Sequence, residues 1–171
     1  MTRVWKPLMA ASAAVALLAI MAVTQPAPRL IWNASASVPI GLYAISPPRP
    51  PAAGDLVAVE PPAPLADFLS AGGYLPPAVP LLKHVAALPG QRVCRIGRTI
   101  TVDAEIVGEA SLRDRRGRPL PVWSGCTTLV DGHVFLLNPG AAGSLDGRYF
   151  GPLPASSIIG HARPVWTREG D

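Results

Sequence analysis

Apolar and polar positions divide the chain into one long uncharged segment and a series of short apolar runs separated by turn residues. No charged residue occurs from position 7 to position 28. A helix over this segment would reach ~33 Å, enough for a hydrocarbon core of about 30 Å. Arg3 and Lys6 precede the segment, so the positive-inside rule predicts a cytoplasmic N-terminus. We therefore expect one N-terminal transmembrane helix at residues 7–28, with residues 1–6 in the cytoplasm and residues 29–171 exported.

A cleaved signal peptide is the alternative reading of the same segment. Ala22 and Thr24 give a weak small-x-small pattern of the kind that precedes a cleavage site. The apolar run is long for a signal peptide, however, and threonine is a poor residue at a cleavage position. We therefore expect a retained anchor in a bacterial inner membrane, with the exported part in the periplasm.

Beyond the anchor, the chain is typical of an all-β domain, because short apolar runs alternate with glycine and proline. The predicted strands are residues 41–45, 55–60, 79–88, 91–96, 99–103, 105–110, 133–137 and 157–166. Residues 65–73 form the one short helix that we expect outside the membrane segment. The fold class predicted is a mostly β, antiparallel domain behind one transmembrane helix.

Charge changes this picture little, although the formal net charge is +4 and the isoelectric point is near 9.6. The densest basic stretch is residues 113–118, with four arginines and one aspartate. It has no interleaved aromatic residues for base stacking and no helical pattern. We interpret it as a solvated loop and expect no nucleic-acid partner.

The two cysteines, Cys94 and Cys126, predict a disulfide bond, because an even cysteine count in an exported domain favours pairing. The bridge would close a loop of ~33 residues, worth roughly 3–4 kcal/mol in the chain-entropy model. Two buried free thiols are the alternative. The spacing fits no four-ligand zinc site, and we expect neither a metal nor a cofactor.

Two features could carry chemistry. Ser35 and Ser37 lie in a turn just after the apolar segment, where a serine is more often a solvated linker residue. Lys83 lies in the middle of an apolar strand, where burial would lower its pKa and make it a general base. An edge-strand lysine reaching water is the alternative. His84 could instead serve a Ser–His–Asp triad, and strand alternation alone does not choose between Lys83 and His84.

A third candidate is the glycine-rich stretch at residues 143–153. Ser144 could orient an amine there, and Asp146 and Arg148 are close enough in sequence to form an ion pair. An ordinary loop is the alternative. His133 and His161 occur within strand patterns without a partner nearby in sequence, and we interpret both as structural.

Four stretches in this order carry a family resemblance: "SASVPIGLY", "PAAGDLVAVEPP", "LLKHVAALPGQRVC" and "GSLDGRYFGPLPASSIIGHARPVW". Together, behind an apolar segment, they resemble the membrane-anchored signal peptidases of the Ser–Lys type. The likeness is greatest to the TraF-type conjugative transfer peptidases, which process pilin precursors. The resemblance implies a signal-peptidase-like β domain and a serine endopeptidase.

The resemblance also implies roles for single residues. Ser37 would be the nucleophile and Lys83 its general base, kept neutral near pH 7 by burial. The backbone N–H of Ser37 and the hydroxyl of Ser35 would form the oxyanion hole. Ser144 would orient Lys83.

The remaining implications concern support and substrate. Asp146 and Arg148 would be a structural pair beneath the site. Pro39 follows Ser37 by two residues, the TraF-like spacing, whereas housekeeping signal peptidases usually have it three residues after. Gly147 stands where those enzymes carry a second serine. We therefore expect a narrow substrate, a pilin-like precursor, with membrane lipid and type IV secretion components as further partners.

Two other functions stay open. One is a housekeeping type I signal peptidase, and the other is a catalytically idle, anchored β scaffold of a secretion or pilus complex. Whether the product is hydrolysed or cyclised is also open.

Overall fold

The computed structural model describes residues 5–24 and 29–168. In these ranges the helices are α1 (Trp5–Thr24), α2 (Ala63–Ala71) and α3 (Gly147–Phe150), with a 3-10 turn at Ala155–Ser157. The strands are β1 (Leu30–Asn33), β2 (Gly41–Ser46), β3 (Leu56–Val59), β4 (Leu81–Ala87), β5 (Arg92–Ile96), β6 (Thr99–Val102), β7 (Glu105–Glu109), β8 (Gly125–Thr128), β9 (His133–Leu137), β10 (Leu153–Pro154) and β11 (Ile158–Thr167).

The helix α1 covers most of the predicted transmembrane segment. The side chains of Trp5, Leu8, Met9, Val15 and Leu17 are exposed. Within the two described ranges, however, no helix is both long enough and apolar enough to cross a membrane. The structure therefore does not support the predicted transmembrane helix. Residues 25–28, the end of the predicted anchor, lie outside the described residues.

The domain that follows α1 is built on a seven-stranded sheet in the order β1-β2-β11-β3-β4-β9-β10, with antiparallel pairing throughout. Consecutive residues of β3 pack on opposite faces, as strand geometry requires. Val57 and Val59 join one buried apolar cluster, and Ala58 joins another with Tyr43 and Leu82. Both faces of the central strands are therefore covered.

A second sheet has four strands in the order β7-β6-β5-β8, again antiparallel. Val93 and Ile100 of this sheet pack against Phe135 and Leu137 of β9, which joins the two sheets in one core. Gly97 turns the β5–β6 hairpin with a φ of +62°, a conformation that glycine adopts without strain. The mostly antiparallel β fold predicted from the sequence is confirmed.

The predicted disulfide is confirmed as well. Cys94 of β5 lies directly opposite Cys126 of β8, and their sulfur atoms are bonded. The bridge closes the edge of the small sheet, and neither cysteine lines the cavity described below.

The stretch at residues 143–153 is more ordered than a glycine-rich loop. Asp146 caps the short helix α3 by accepting a hydrogen bond from the backbone N–H of Arg148. A Cβ atom at Gly147 would lie 2.5 Å from the ring of Phe135 and 2.7 Å from the carbonyl oxygen of Leu136. Because β9 approaches so closely, the serine of the housekeeping enzymes would not fit here without a shift of β9.

Candidate active site

The serine turn is built around the side chain of Asn33, the last residue of β1. Its amide nitrogen donates to the carbonyl oxygens of Ser35 at 2.8 Å and Val38 at 3.0 Å. From β2, the hydroxyl of Tyr43 donates to the carbonyl oxygen of Pro39 at 2.6 Å. The turn is therefore held from both strands. No sequence pattern predicted a role for Asn33, which lies two residues before Ser35.

The hydroxyl groups of the turn form an ordered chain. The Oγ of Ser35 lies 2.9 Å from Oδ1 of Asn33 and 2.9 Å from Oγ of Ser37. Because Oδ1 only accepts and a serine hydroxyl has one hydrogen, Ser35 donates to Asn33 and accepts from Ser37. No hydrogen bond from the backbone N–H of Ser37 is found in the described ranges. Among the described residues that N–H is therefore a free donor, whereas the hydroxyl of Ser35 already donates to Asn33.

Lys83 is buried on β4 with a relative exposure of 4 %, opposite Val57 of β3. Its Nζ donates to Oγ of Ser144 at 2.7 Å. Burial lowers the pKa of Lys83 to about 8, although the charge of Asp146 acts in the opposite direction. The shift has the predicted direction, but with this pKa only roughly a tenth of the amine is neutral at pH 7.

Beneath Ser144, Asp146 and Arg148 form a buried, two-pronged ion pair. Nε of Arg148 donates to Oδ1 at 2.9 Å and Nη2 to Oδ2 at 2.8 Å. Burial opposes the charge of Arg148, but hydrogen bonds and attraction from Asp146 outweigh it and raise the pKa of the guanidinium. The Nη2 group also donates to the carbonyl oxygen of Ala141 at 2.7 Å. The pair thus fixes both ends of the loop that carries Ser144.

Asn138, at the end of β9, holds the backbone on both sides of Lys83. Its Nδ2 donates to the carbonyl oxygen of Leu82 at 3.0 Å, and its Oδ1 accepts from the backbone N–H of His84 at 3.1 Å. Its own backbone N–H donates to Oδ2 of Asp146 at 3.1 Å. This buried amide therefore links the lysine strand to the Ser144 loop. No sequence pattern pointed to it.

One cavity of about 860 Å³ brings the predicted residues together, because Ser35, Ser37, Lys83 and Ser144 all line it. Its large apolar side chains are those of Leu69, Leu75, Leu81, Leu120 and Leu145. In the part of the chain that the structure describes, no hydrogen bond joins Ser37 to Lys83, and each is bonded to another serine instead.

The histidines lie away from this cavity. His84 contacts Asn138 through Nδ1 at 3.2 Å and is absent from the cavity lining. His161 lies 3.2 Å from a carboxylate oxygen of Asp55 and is also absent from the cavity lining. The geometry therefore favours Lys83 over His84 as a base for Ser37. Among the described residues, no group of histidine, cysteine and carboxylate side chains could hold a metal ion.

The arginine-rich stretch at residues 113–118 is exposed, as a solvated loop should be, but it also lines the cavity. Arg113, Arg115, Arg116 and Arg118 all contribute to that lining. One side of the cavity is therefore strongly basic. The sequence alone did not indicate that this loop lies beside the cavity.

Comparison with known proteins identifies the family of the chain. The family model described as signal peptidase, peptidase S26, matches residues 2–167. The chain is 41 % identical over 145 residues to a probable conjugal transfer protein TraF of Sinorhizobium fredii, covering 79 % of this chain and 76 % of the relative. It is 39 % identical over 145 residues to the conjugal transfer protein TraF of Agrobacterium fabrum, covering 79 % and 81 %.

Among solved structures, a signal peptidase I from Enterococcus faecalis is 20 % identical with a TM-score of 0.40, covering 68 % of this chain and 98 % of that one. The family match spans nearly the whole chain, and the TraF relatives match over most of their length. The chain therefore belongs to the signal peptidase family, peptidase S26, and it is TraF-like within that family.

Proposed function

We propose that the chain is a serine endopeptidase in which Ser37 is the nucleophile and Lys83 is the general base. One observation carries the proposal: a buried lysine with a lowered pKa, bonded to Ser144, faces the cavity that Ser37 also lines. Burying an amine is costly, and perturbed amines in a cleft beside a hydroxyl are typical of catalytic sites.

The first step acylates Ser37. Its hydroxyl turns from Ser35 towards Lys83, whose neutral amine takes the proton as Oγ attacks the scissile carbonyl carbon. The negative charge that develops on the carbonyl oxygen is stabilised by the free backbone N–H of Ser37. The ammonium of Lys83 then gives its proton to the leaving amine, the peptide bond breaks, and an ester on Ser37 remains.

The second step releases the ester. A nucleophile loses a proton to Lys83 as it attacks the ester carbonyl, and Oγ of Ser37 leaves and regains a proton from the same lysine. Water as the nucleophile gives hydrolysis, and an amine of the bound peptide gives cyclisation. Ser144 keeps Nζ of Lys83 directed into the cavity through both steps.

We propose that the substrate is an exported, pilin-like precursor with small residues next to the cleaved bond. The support is the TraF relatives, which are named as conjugal transfer proteins. Components of a type IV secretion system are then the expected neighbours.

We also propose that the chain acts at the periplasmic face of the inner membrane. The support is the uncharged segment at residues 7–28 and the exposed apolar side chains of α1. A carbonate wash of membranes tests this proposal. Retention of the protein in the membrane fraction supports it, and release into the wash opposes it.

The test of the peptidase is mass spectrometry of the candidate precursor in cells with wild-type, Ser37→Ala, Lys83→Ala or His84→Ala protein, at equal expression. We expect unprocessed precursor with the first two variants and processed precursor with His84→Ala. A product lighter by one water than the linear product of hydrolysis at the same bond would indicate cyclisation. Normal processing with Ser37→Ala and Lys83→Ala would instead support the catalytically idle scaffold.

A further inference from the structure

The arginine loop, defined as residues 113–118, includes three arginines whose charge neither the fold nor the proposed catalysis uses. Arg113, Arg115 and Arg116 are exposed, and all three line the cavity that holds Ser37. The loop is therefore a candidate for contact with whatever enters that cavity.

The loop has a fixed conformation, which a recognition element needs. Oδ1 of Asp114 accepts from the backbone N–H groups of Arg116 and Arg118, both at 2.8 Å. Oδ2 accepts from the hydroxyl of Tyr74 and from Nε of Arg118, both at 2.7 Å. The guanidinium of Arg118 also lies 4.5 Å from the centre of the Tyr74 ring and donates to the carbonyl oxygen of Gly72. Asp114 and Arg118 thus attach the loop to the end of α2.

The other three arginines lack a carboxylate partner. Over residues 5–24 and 29–168, the ion pair between Arg118 and Asp114 is the only one that the loop forms. The side chain of Arg113 donates to the carbonyl oxygen of Gly117 at 2.7 Å, which leaves its charge uncompensated.

Arg115 reaches across the cavity to the catalytic side. A Cβ atom at Gly143 would lie 3.2 Å from its Nη2, so the guanidinium rests on the backbone next to Ser144. Because Ser144 bonds to Lys83, only the Gly143 backbone and the Ser144 residue lie between the arginine and the proposed base.

The charges that line the cavity are unbalanced. Lys83 and four arginines face one carboxylate, that of Asp114, whose hydrogen bonds already use both oxygens. A cleft with walls of one sign attracts ligands of the opposite sign. Arginine also pairs with carboxylates in a planar, two-pronged geometry that lysine does not match.

We propose that Arg113, Arg115 and Arg116 bind a carboxylate of the substrate peptide close to the bond that Ser37 attacks. This inference rests on the proposed function and narrows its substrate class to precursors that are acidic near the cleavage site. The carboxylate belongs to an aspartate or glutamate side chain or to a free chain end, since both present the same group.

A peptide suits the cavity better than a nucleic acid. Sequence-tolerant binding of single strands needs aromatic faces on which bases stack. The aromatic side chains in the lining are Tyr74 and Tyr149, and Tyr74 already stacks on Phe68 and carries Arg118. The rest of the uncharged lining is leucine, alanine, glycine and serine, which fits small peptide side chains.

The experiment measures binding in the full chain carrying Ser37→Ala, so that the probe stays intact. The probe is a fluorescein-labelled, alanine-rich peptide with two glutamates, compared by anisotropy with its glutamine counterpart. Each of the two peptides is made with a free and with an amidated C-terminus. The variant is Arg113→Gln, Arg115→Gln and Arg116→Gln combined. The matched control combines Arg92→Gln, Arg163→Gln and Arg168→Gln, three exposed arginines outside the cavity.

We expect the glutamate peptide to bind roughly tenfold more tightly than the glutamine peptide, because each exposed pair contributes only a few-fold. The difference should disappear in the triple variant, persist in the control and shrink as salt is raised. A preference that follows the free C-terminus and not the glutamates would assign the site to a chain end.

Equal binding of acidic and neutral peptides, or equal loss in the control, would overturn the inference. Tighter binding of a labelled single-stranded oligonucleotide with the same arginine dependence would overturn it too. A separate cleavage assay shows whether the peptidase proposal fails. The chain with Ser37 intact would then cut no peptide, while the arginine-dependent preference remained.

Discussion

Nζ of Lys83 and Oγ of Ser144 lie 2.7 Å apart, although 61 residues separate them in the sequence. The contact joins the middle of β4 to the loop before α3. It directs a buried amine that has few other partners, because the lysine lies among apolar side chains. The protonation state of this amine should therefore control the reaction.

The cleavage rate should rise with pH through the pKa of Lys83. The base works in its neutral form, and burial places its pKa at about 8. We expect kcat/KM to increase about tenfold per pH unit below that value and to level off above it. The measurement is cleavage of the identified precursor peptide between pH 5 and 9. A flat profile over that range would count against the Ser–Lys mechanism, and circular dichroism at each pH serves as the folding control.

Burial of Lys83 should also lower the free energy of unfolding at neutral pH. Its pKa falls from 10.5 in the unfolded chain to about 8 in the folded one, so the unfolded state binds more protons between those values. Stability should therefore rise from pH 8 to pH 10.5, by about 3 kcal/mol for this residue.

Lys83→Met tests that cost, because methionine has a similar unbranched shape and no charge. We expect the variant to unfold at higher urea concentration than wild type at pH 7, with the difference shrinking by pH 10.5. Other titrating groups cancel in the comparison. A difference that stays constant with pH would show that the native amine keeps an ordinary pKa.

The disulfide should matter for stability and not for chemistry. Cys94→Ala with Cys126→Ala removes a loop constraint worth roughly 3–4 kcal/mol, which corresponds to a melting temperature lower by roughly 10 °C. Because neither cysteine lines the cavity, kcat at a temperature well below melting should be unchanged. Differential scanning fluorimetry and a peptide assay measure the two quantities. Loss of kcat in a folded variant would contradict the prediction that the disulfide affects stability and not catalysis.

Local patterns predicted most of the sheet, because apolar runs bounded by glycine and proline mark strands wherever one face is buried. Strands β2 and β9 and the disulfide match these predictions. Strand β8 was missed because all four of its residues are exposed, and no alternation survives there. Strand β1 is four residues long and follows the apolar segment so closely that it has no pattern of its own.

The catalytic region could be predicted only in part, for a related reason. The identities of Ser37, Lys83 and Ser144 follow from motifs. Strand alternation left Lys83 and His84 open, and the resemblance chose Lys83, but its partner Ser144 is 61 residues away and becomes visible only in the fold. Asn33 and Asn138 act through contacts that only the folded chain creates, and an isolated asparagine carries no sequence signal. The arginine loop likewise reads as solvated until the fold places it beside the cavity.

Asn138 provides the sharpest test of how the site is held. Asn138→Asp keeps the shape and the acceptor for the N–H of His84, but it loses the donor to Leu82 and brings a charge next to Asp146. We expect kcat to fall roughly 100-fold with KM little changed, because a small misplacement of a catalytic group is that costly. Asn138→Ala should lose both contacts and some stability. Asn33→Ala is the comparison variant, because Asn33 supports the serine turn and not Lys83. It should also lower kcat, but the pKa in the pH profile should stay that of Lys83. Full kcat in a folded Asn138→Asp variant would mean that β4 alone positions Lys83.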